Sequence, residues 1–438
     1  MNKFNLYIYI YLTIAISAVG CKMDMVNPNS PSDAEVLNTR QGMITLSVGM
    51  KQYYSSTALD ALYILTVAPT TREAKGIATF TNTLEMETGG TALPTNNGNI
   101  LSLWSRMLRV MTMADDIIEK TPTILNTDDP IRPGILANAY LFKAMSIGGL
   151  ATGFEKFPIQ TVKIGNTTFV SRQEGLTEAI RLLDEAAGLL TSYNAPAELT
   201  SKVLGPKFVL INCINAYRAR YNLMAGKNAE ALTTASLVPL DVPSTFAFDG
   251  SRSVNPYFNQ FTTIRSYLSR DSFGLPPAWV ESGDGRLAFY YSGPSIANGS
   301  DVLRNYKGFG DANNSEIPVY MPDEMRLIKA EAILRSGGPV TDALTHINAV
   351  RTQTSGDIYG VNASLPAYSG ATTADALLLE VYKQRCIELY LSGLRLEDSR
   401  RFNRPAPPAN MIERNRDFYP YPDQERLNNP NTPDDPAI

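Results

Sequence analysis

The chain has 438 residues, 44% of them hydrophobic and 19% charged, with a formal net charge of −4. That balance supports a sizeable core and argues against general disorder. No basic block occurs, which speaks against nucleic acid as a partner.

At the N-terminus, Lys3 precedes an apolar run over residues 4–19, and Ala18-Val19-Gly20 lead into Cys21. A basic start, an apolar centre and small residues before a cut site form a secretory signal. A Cys directly after them reads as the lipidated first residue of a bacterial lipoprotein, which would hold the domain at a membrane surface. Two readings compete with it: an ordinary cleaved signal with an incidental Cys, and an uncleaved anchor. The run is shorter than the ~20 residues that a spanning helix needs. The signal is expected over 1–20 and a tether over 21–34, where Pro28 and Pro31 oppose helix. After residue 21 the sequence shows no second long apolar stretch.

One domain is expected over 35–438. Helical spacing of apolar residues predicts helices over 35–66, 100–120 (Leu103, Met107, Val110, Met111, Ala114, Ile117), 134–150, 172–191 and 205–225, and a short one at 228–237. Pro206 near the start and Gly226 past the end fit the punctuation of the 205–225 helix. From 239 to 318 the periodicity breaks into Pro, Gly, Ser, Asn and aromatic residues, an irregular insert with a few strands. Loops of that length are usually functional. Helices resume at Pro322, with Asp323 and Glu324 in the first turn where the helix dipole favours carboxylates, then over 340–353 and 374–392. The tail from 403 is rich in Pro and Asn. The fold class is therefore mostly α: helix pairs in a tetratricopeptide-like scaffold with an irregular, loop-rich half.

Cys213 and Cys386 could form one disulfide or remain buried thiols, and the sequence leaves both open. On the helix of 374–392 and just beyond it, Arg385 and Glu388, and Arg395 and Asp398, are three residues apart, the spacing at which helical side chains meet. A partly buried ion-pair network is the expected role, with Gly393 turning the chain between the pairs. His346 is the only His in the chain and falls mid-helix. With no Gly-x-Ser-x-Gly elbow, nucleophilic catalysis has little support. Asp115-Asp116 and Asp128-Asp129 read as solvated charge. Residues 311–316 (DANNSE) offer oxygen ligands without EF-hand spacing or its Gly.

Several segments carry a resemblance. They are Cys21-Lys22-Met23-Asp24-Met25-Val26-Asn27-Pro28, residues 104–116 (WSRMLRVMTMADD), residues 137–158 (ANAYLFKAMSIGGLATGFEKFP) and Gly283-Asp284-Gly285-Arg286-Leu287. At the C-terminus they are residues 385–401 (RCIELYLSGLRLEDSRR) and 419–431 (YPYPDQERLNNPN). In order and spacing these resemble the SusD/RagB family of outer-membrane nutrient-binding lipoproteins, with Gly285 standing where the family has Pro. The resemblance is weakest over 239–318. It implies four tetratricopeptide-like helix pairs with a ligand-binding half packed on them. It also implies a SusC-like, TonB-dependent outer-membrane barrel as partner, and a cell-surface location. Ligands across the family are mostly glycans, with peptides in the RagB branch.

The expected function is thus capture of an oligosaccharide and its delivery to a barrel, by a protein that is not an enzyme and takes no cofactor. A peptide-binding role, a surface glycoside hydrolase and a helical-repeat adaptor without a small ligand are the alternatives. Sugar recognition needs flat apolar faces for pyranose CH groups and polar groups for hydroxyls. The insert supplies Phe273, Trp279, Phe289, Tyr290 and Tyr291, with Asn298, Asp301 and Arg304 nearby. Tyr53 and Tyr54 in the first helix rank second. For any one ring, core packing is the plainer explanation, and the set as a whole carries the expectation.

Overall fold

The computed structural model describes residues 37–161 and 166–438. The expected signal, Cys21 and the tether lie outside the described residues.

Helix α1 (Arg40–Tyr53) begins at Thr39, whose hydroxyl accepts the Gly42 N–H at 3.0 Å and satisfies one of the free donors of the first turn. Winding continues past Tyr53 to Thr70, widened over Tyr54–Ala58 and Asp60–Val67. There Leu59 N–H bonds to Tyr54 O and Ala68 N–H to Tyr63 O, an i→i+5 pattern. The stretch Ala58 to Ala68 is buried almost all round, so an apolar period could not reveal this widening.

The next helices are α2 (Gly98–Ile124), α3 (Arg132–Gly153), α4 (Arg172–Leu189), α5 (Leu210–Met224) and α6 (Asn228–Ser236). Asn97 caps α2 through the Asn99 and Ile100 N–H groups, and Ser171 with Glu174 forms a capping box on α4. The stripe Leu103, Met107, Val110, Met111, Ala114 and Ile117 is buried, as its spacing predicts. Helix α2 packs on α3, α3 on α4, and α5 on α6. Helix α3 is long and apolar enough to cross a membrane by length and composition, which corrects the sequence expectation. Most of it is buried inside the molecule, as a core helix would be.

Helix α5 starts at Leu210, not at 205, and Pro206 lies in the turn before it. Beyond the insert, α7 (Pro322–Arg335) pairs with α8 (Val340–Arg351), and α9 (Ala374–Glu388) lies against both. A second, smaller core of Leu327, Ala330, Ile347, Leu377 and Val381 fills that junction. Helix α6 packs on α7, so the two runs of helix pairs meet across the insert. The result is mostly α, built on helix pairs.

The insert is more ordered than its composition suggests. Strands β1 (Ala74–Gly76), β2 (Tyr267–Arg270), β3 (Tyr291–Asn298) and β4 (Asp301–Tyr306) form one antiparallel sheet in the order β1-β2-β4-β3. Tyr291 faces Tyr306 and Asn298 faces Asp301 across the β3–β4 hairpin. Strand β1 comes from the segment just after the first helix, which ties the insert to the scaffold.

Charged residues complete the junction, though not in the expected pairs. Arg385 reaches past Glu388 to Asp398, at 2.9 and 3.0 Å. Asp398 lies in α10 (Arg395–Arg401) and also takes a bond from Arg401 at 2.8 Å. Arg395 donates to the Phe273 and Cys386 carbonyls and lies 3.8 Å from Glu73. Glu388 instead meets Arg286 at 3.3 Å, and Asp284 holds that guanidinium at 2.9 and 2.7 Å. The chain leaves α9 at Glu388 and turns through Leu391 and Gly393, both at positive φ. A Cβ on Gly393 would lie 2.5 Å from the Tyr63 ring. That turn carries Arg395 and Asp398 away from their sequence neighbours. Cys213 and Cys386 are both buried and unpaired.

Candidate binding cleft

A surface depression of about 410 Å³ lies on the irregular half where β2 and β4 meet the tail. It starts at Arg72, in the turn where the first helix ends. Pro69 and Thr70 close that helix, and Arg72 follows with a left-handed backbone at φ 62°. Its neighbour Glu73 is buried and anchors the turn. The carboxylate accepts the Leu391 N–H at 2.8 Å and the Thr71 hydroxyl at 3.0 Å. The Glu73 carbonyl accepts the Tyr390 hydroxyl and the Arg270 N–H. Burial pushes the Glu73 carboxyl up, against the pull of Arg395.

The opposite wall is the segment after β2. Ser272, Phe273 and Gly274 have φ of 54°, 58° and 68°. Left-handed backbone is uncommon for non-glycine residues, and strain of this kind persists only where the surroundings enforce it. The two walls enforce each other: a Cβ on Gly274 would fall 1.9 Å from the Arg72 carbonyl oxygen. Leu275, Pro276 and Pro277 continue this wall, and Val302 and Ile412 add apolar surface that is 49% and 66% exposed.

Asp301 is the electrostatic centre. Lys75 and Arg270 both hydrogen-bond to it, and Arg72 lies 3.8 Å away. Burial alone would raise its carboxyl. The Lys75 ammonium and the Arg270 guanidinium outweigh that and hold it below the usual carboxylate range. Arg270 also binds Glu87, Arg304 lies 3.6 Å from Asp271, and Arg404 grips Glu413 at 2.6 and 2.9 Å.

The structure divides the eight residues expected to form the site. Asp301 lines the cleft, and Arg304 stands behind it, over the Tyr291 ring at 5.4 Å and donating to Gly293 O. Asn298 is exposed at the hairpin tip. Phe273, Tyr290 and Tyr291 are core residues and offer no ring face to solvent, which corrects their expected role. Their rings pack on one another and on Tyr390. Tyr291 donates to Arg270 O and accepts from Phe273 N, and Tyr290 donates to Glu388 O. A Tyr whose hydroxyl finds a backbone partner loses little by burial. Trp279 is half-buried against Tyr382 and under the Arg404 guanidinium. Phe289 is half-buried against Phe309 on a different part of the insert. Tyr54 is buried and Tyr53 only partly so.

Arg72, Arg270, Pro276, Val302 and Ile412 escaped the sequence reading. Only the Gly274-Leu275-Pro276-Pro277 turn could have marked a wall, because nothing local brings Arg72 to Asp301 or Ile412 to β4. Among the described residues, no group of three His, Cys, Asp or Glu side chains is placed to hold a metal ion. His346 is half-buried on α8, with its pKa lowered by burial and by Lys329 and Arg326.

Residues 291–435 match the model of the SusD family. No curated protein matches the chain. A SusD superfamily protein from Bacteroides thetaiotaomicron VPI-5482 superposes with a TM-score of 0.71 at 14% identity, over 91% of this chain and 100% of that one. A SusD homolog from the same organism gives 0.71 at 14%, over 93% and 99%. A SusD-like carbohydrate binding protein from Bacteroides vulgatus ATCC 8482 gives 0.66 at 16%, over 91% and 99%. The C-terminal third of the chain thus matches the SusD family model, and its fold is shared with SusD superfamily structures over nine-tenths of its length.

Proposed function

We propose that this protein is a cell-surface lipoprotein of the outer membrane that binds oligosaccharides and passes them to a SusC-like TonB-dependent barrel. In this reading residues 1–20 are the signal, Cys21 carries the lipid, residues 21–34 are the tether and 35–438 form one domain with the insert at 239–318. The observation that carries the reading is the open cleft on the insert of a SusD fold. Its walls are set by mutually braced backbone, and it combines apolar surface with charged hydrogen-bonding groups. The carbohydrate-binding description of a neighbour with this fold supports the ligand class.

Binding without turnover is favoured by the state of the cleft carboxylates. Glycoside hydrolysis needs one carboxyl held protonated near neutral pH. Asp301 is instead driven towards its ionised form, and Glu413 is gripped by Arg404 and by the Tyr382 hydroxyl at 2.6 Å. The test is titration of the full chain against a panel of oligosaccharides, with analysis for products. Saturable binding with no product supports the reading, and turnover removes it. A peptide-binding role is the second reading. It is favoured by the cleft lining, which holds no Trp, Tyr or Phe to stack on a sugar ring. Peptides that bind while every oligosaccharide stays inert would establish it.

A further inference from the structure

One cation of the cleft is only loosely paired. Each of the cleft's carboxylates is already matched: Asp301 by Lys75 and Arg270, Asp271 by Arg304, and Glu413 by Arg404. Arg72 is that cation. Its guanidinium is one-third exposed on the cleft wall, 3.8 Å from Asp301, and among the described residues it donates no side-chain hydrogen bond. Behind it, the Nε of Arg270 is buried without a partner. Two guanidinium groups thus stand close together with unused donors.

The position of Arg72 is fixed at some cost. Its own backbone is left-handed, and the facing wall holds three consecutive residues at positive φ, with Gly274 closed onto the Arg72 carbonyl. A side chain needed only for solubility would not require a backbone strained on both sides of the gap. The lining residues also lack any aromatic ring, so stacking is not how this cleft selects a sugar. What it offers is a planar fork beside Pro276, Pro277, Val302 and Ile412. An Arg fork matches the two oxygens of a carboxylate.

We propose that the cleft selects acidic oligosaccharides, and that Arg72 binds the carboxylate of a uronic or sialic acid residue while the apolar wall takes the sugar's CH face. This deepens the glycan-binding reading and rests on it. An anion at this point would relieve the repulsion between Arg72 and Arg270. Burial and that repulsion both pull Arg72 below its ordinary value.

The test uses the full chain and matched probes: oligosaccharides bearing galacturonate, glucuronate or sialate, each beside its methyl ester. The ester keeps the sugar and removes only the charge. At least one acid should bind ten-fold or more tightly than its ester, and binding should weaken as salt rises. Arg72→Gln should erase that preference while leaving thermal stability unchanged, since the side chain makes no hydrogen bond that folding needs. Arg72→Lys should keep part of the preference, because the charge remains and the fork is lost. Acid and ester binding equally, or a preference that survives Arg72→Gln, overturns the proposal and leaves the glycan reading standing. Binding only of neutral oligosaccharides does the same. No binding of any oligosaccharide, with acidic peptides bound instead, overturns both.

Discussion

Asp60 shows how one buried acid sets a pH response. It is nearly enclosed, and burial raises its carboxyl from 3.8 to about 6 against the pull of Arg106, 3.2 Å away. A folded-state pKa above the unfolded value means that the folded form binds the proton more tightly. The stabilisation is therefore complete below pH 3.8 and is lost as pH rises to about 6. Asn at this position mimics the protonated form at every pH. Asp60→Asn should raise stability at pH 7 by about 3 kcal/mol, from the size of the shift, and the advantage should vanish by pH 4. Urea unfolding of both proteins at a series of pH values reads this, and a constant offset would refute it. Opposite in kind is Arg385–Asp398, a buried pair with both members ionised. Removing one partner strands the other, so Asp398→Ala should cost roughly 3–5 kcal/mol in denaturant unfolding. The sequence marked these residues as a structural network but paired them wrongly. Spacing along a helix says who can meet on its surface, and the turn at Gly393 brings in a partner from farther along the chain. Tyr290 and Tyr291 misled for a related reason: a hydroxyl paired to backbone lets a ring sit in the core, and the sequence does not show that backbone.

Among the elements, the helices were legible because burial on one face imposes a 3.6-residue period, as along α2. The widened turns after α1 were not, since a helix buried all round has no period to read. The sheet was hidden as well. Strand β1 is three residues long, and its partner β2 lies nearly two hundred residues away. Register between such distant segments is set by packing that no local pattern carries. The braced walls of the cleft give a prediction at this scale. Gly274→Ala places a methyl group against the Arg72 carbonyl and in an unfavourable backbone region. It should lower stability by about 1–3 kcal/mol and displace Arg72. Thermal unfolding gives the first effect and loss of ligand binding the second. An unaltered affinity would mean that the strain has no bearing on the site.

For the whole molecule, helix pairs form a scaffold on which the proposed ligand-binding insert is packed, with Arg286 reaching Glu388 and Arg395 reaching the Phe273 carbonyl across the seam. Loss of periodicity at 239 marked this division in advance, and the C-terminal motifs marked the segment that matches the SusD family model. The sequence could not locate the cleft, which is assembled from the first helix end, the insert and the tail. Lipid attachment is a whole-molecule prediction too: Cys21→Ala should move the protein from the membrane fraction to the soluble one, and retention in the membrane would point to an uncleaved anchor. The most direct check on the central claim is calorimetric titration of an oligosaccharide that binds the wild-type chain into the double variant Val302→Asp, Ile412→Asp. Both positions are exposed, so the fold should survive with an unchanged circular dichroism spectrum. The account predicts that affinity falls at least ten-fold. Affinity equal to wild type would place the binding site elsewhere on the molecule.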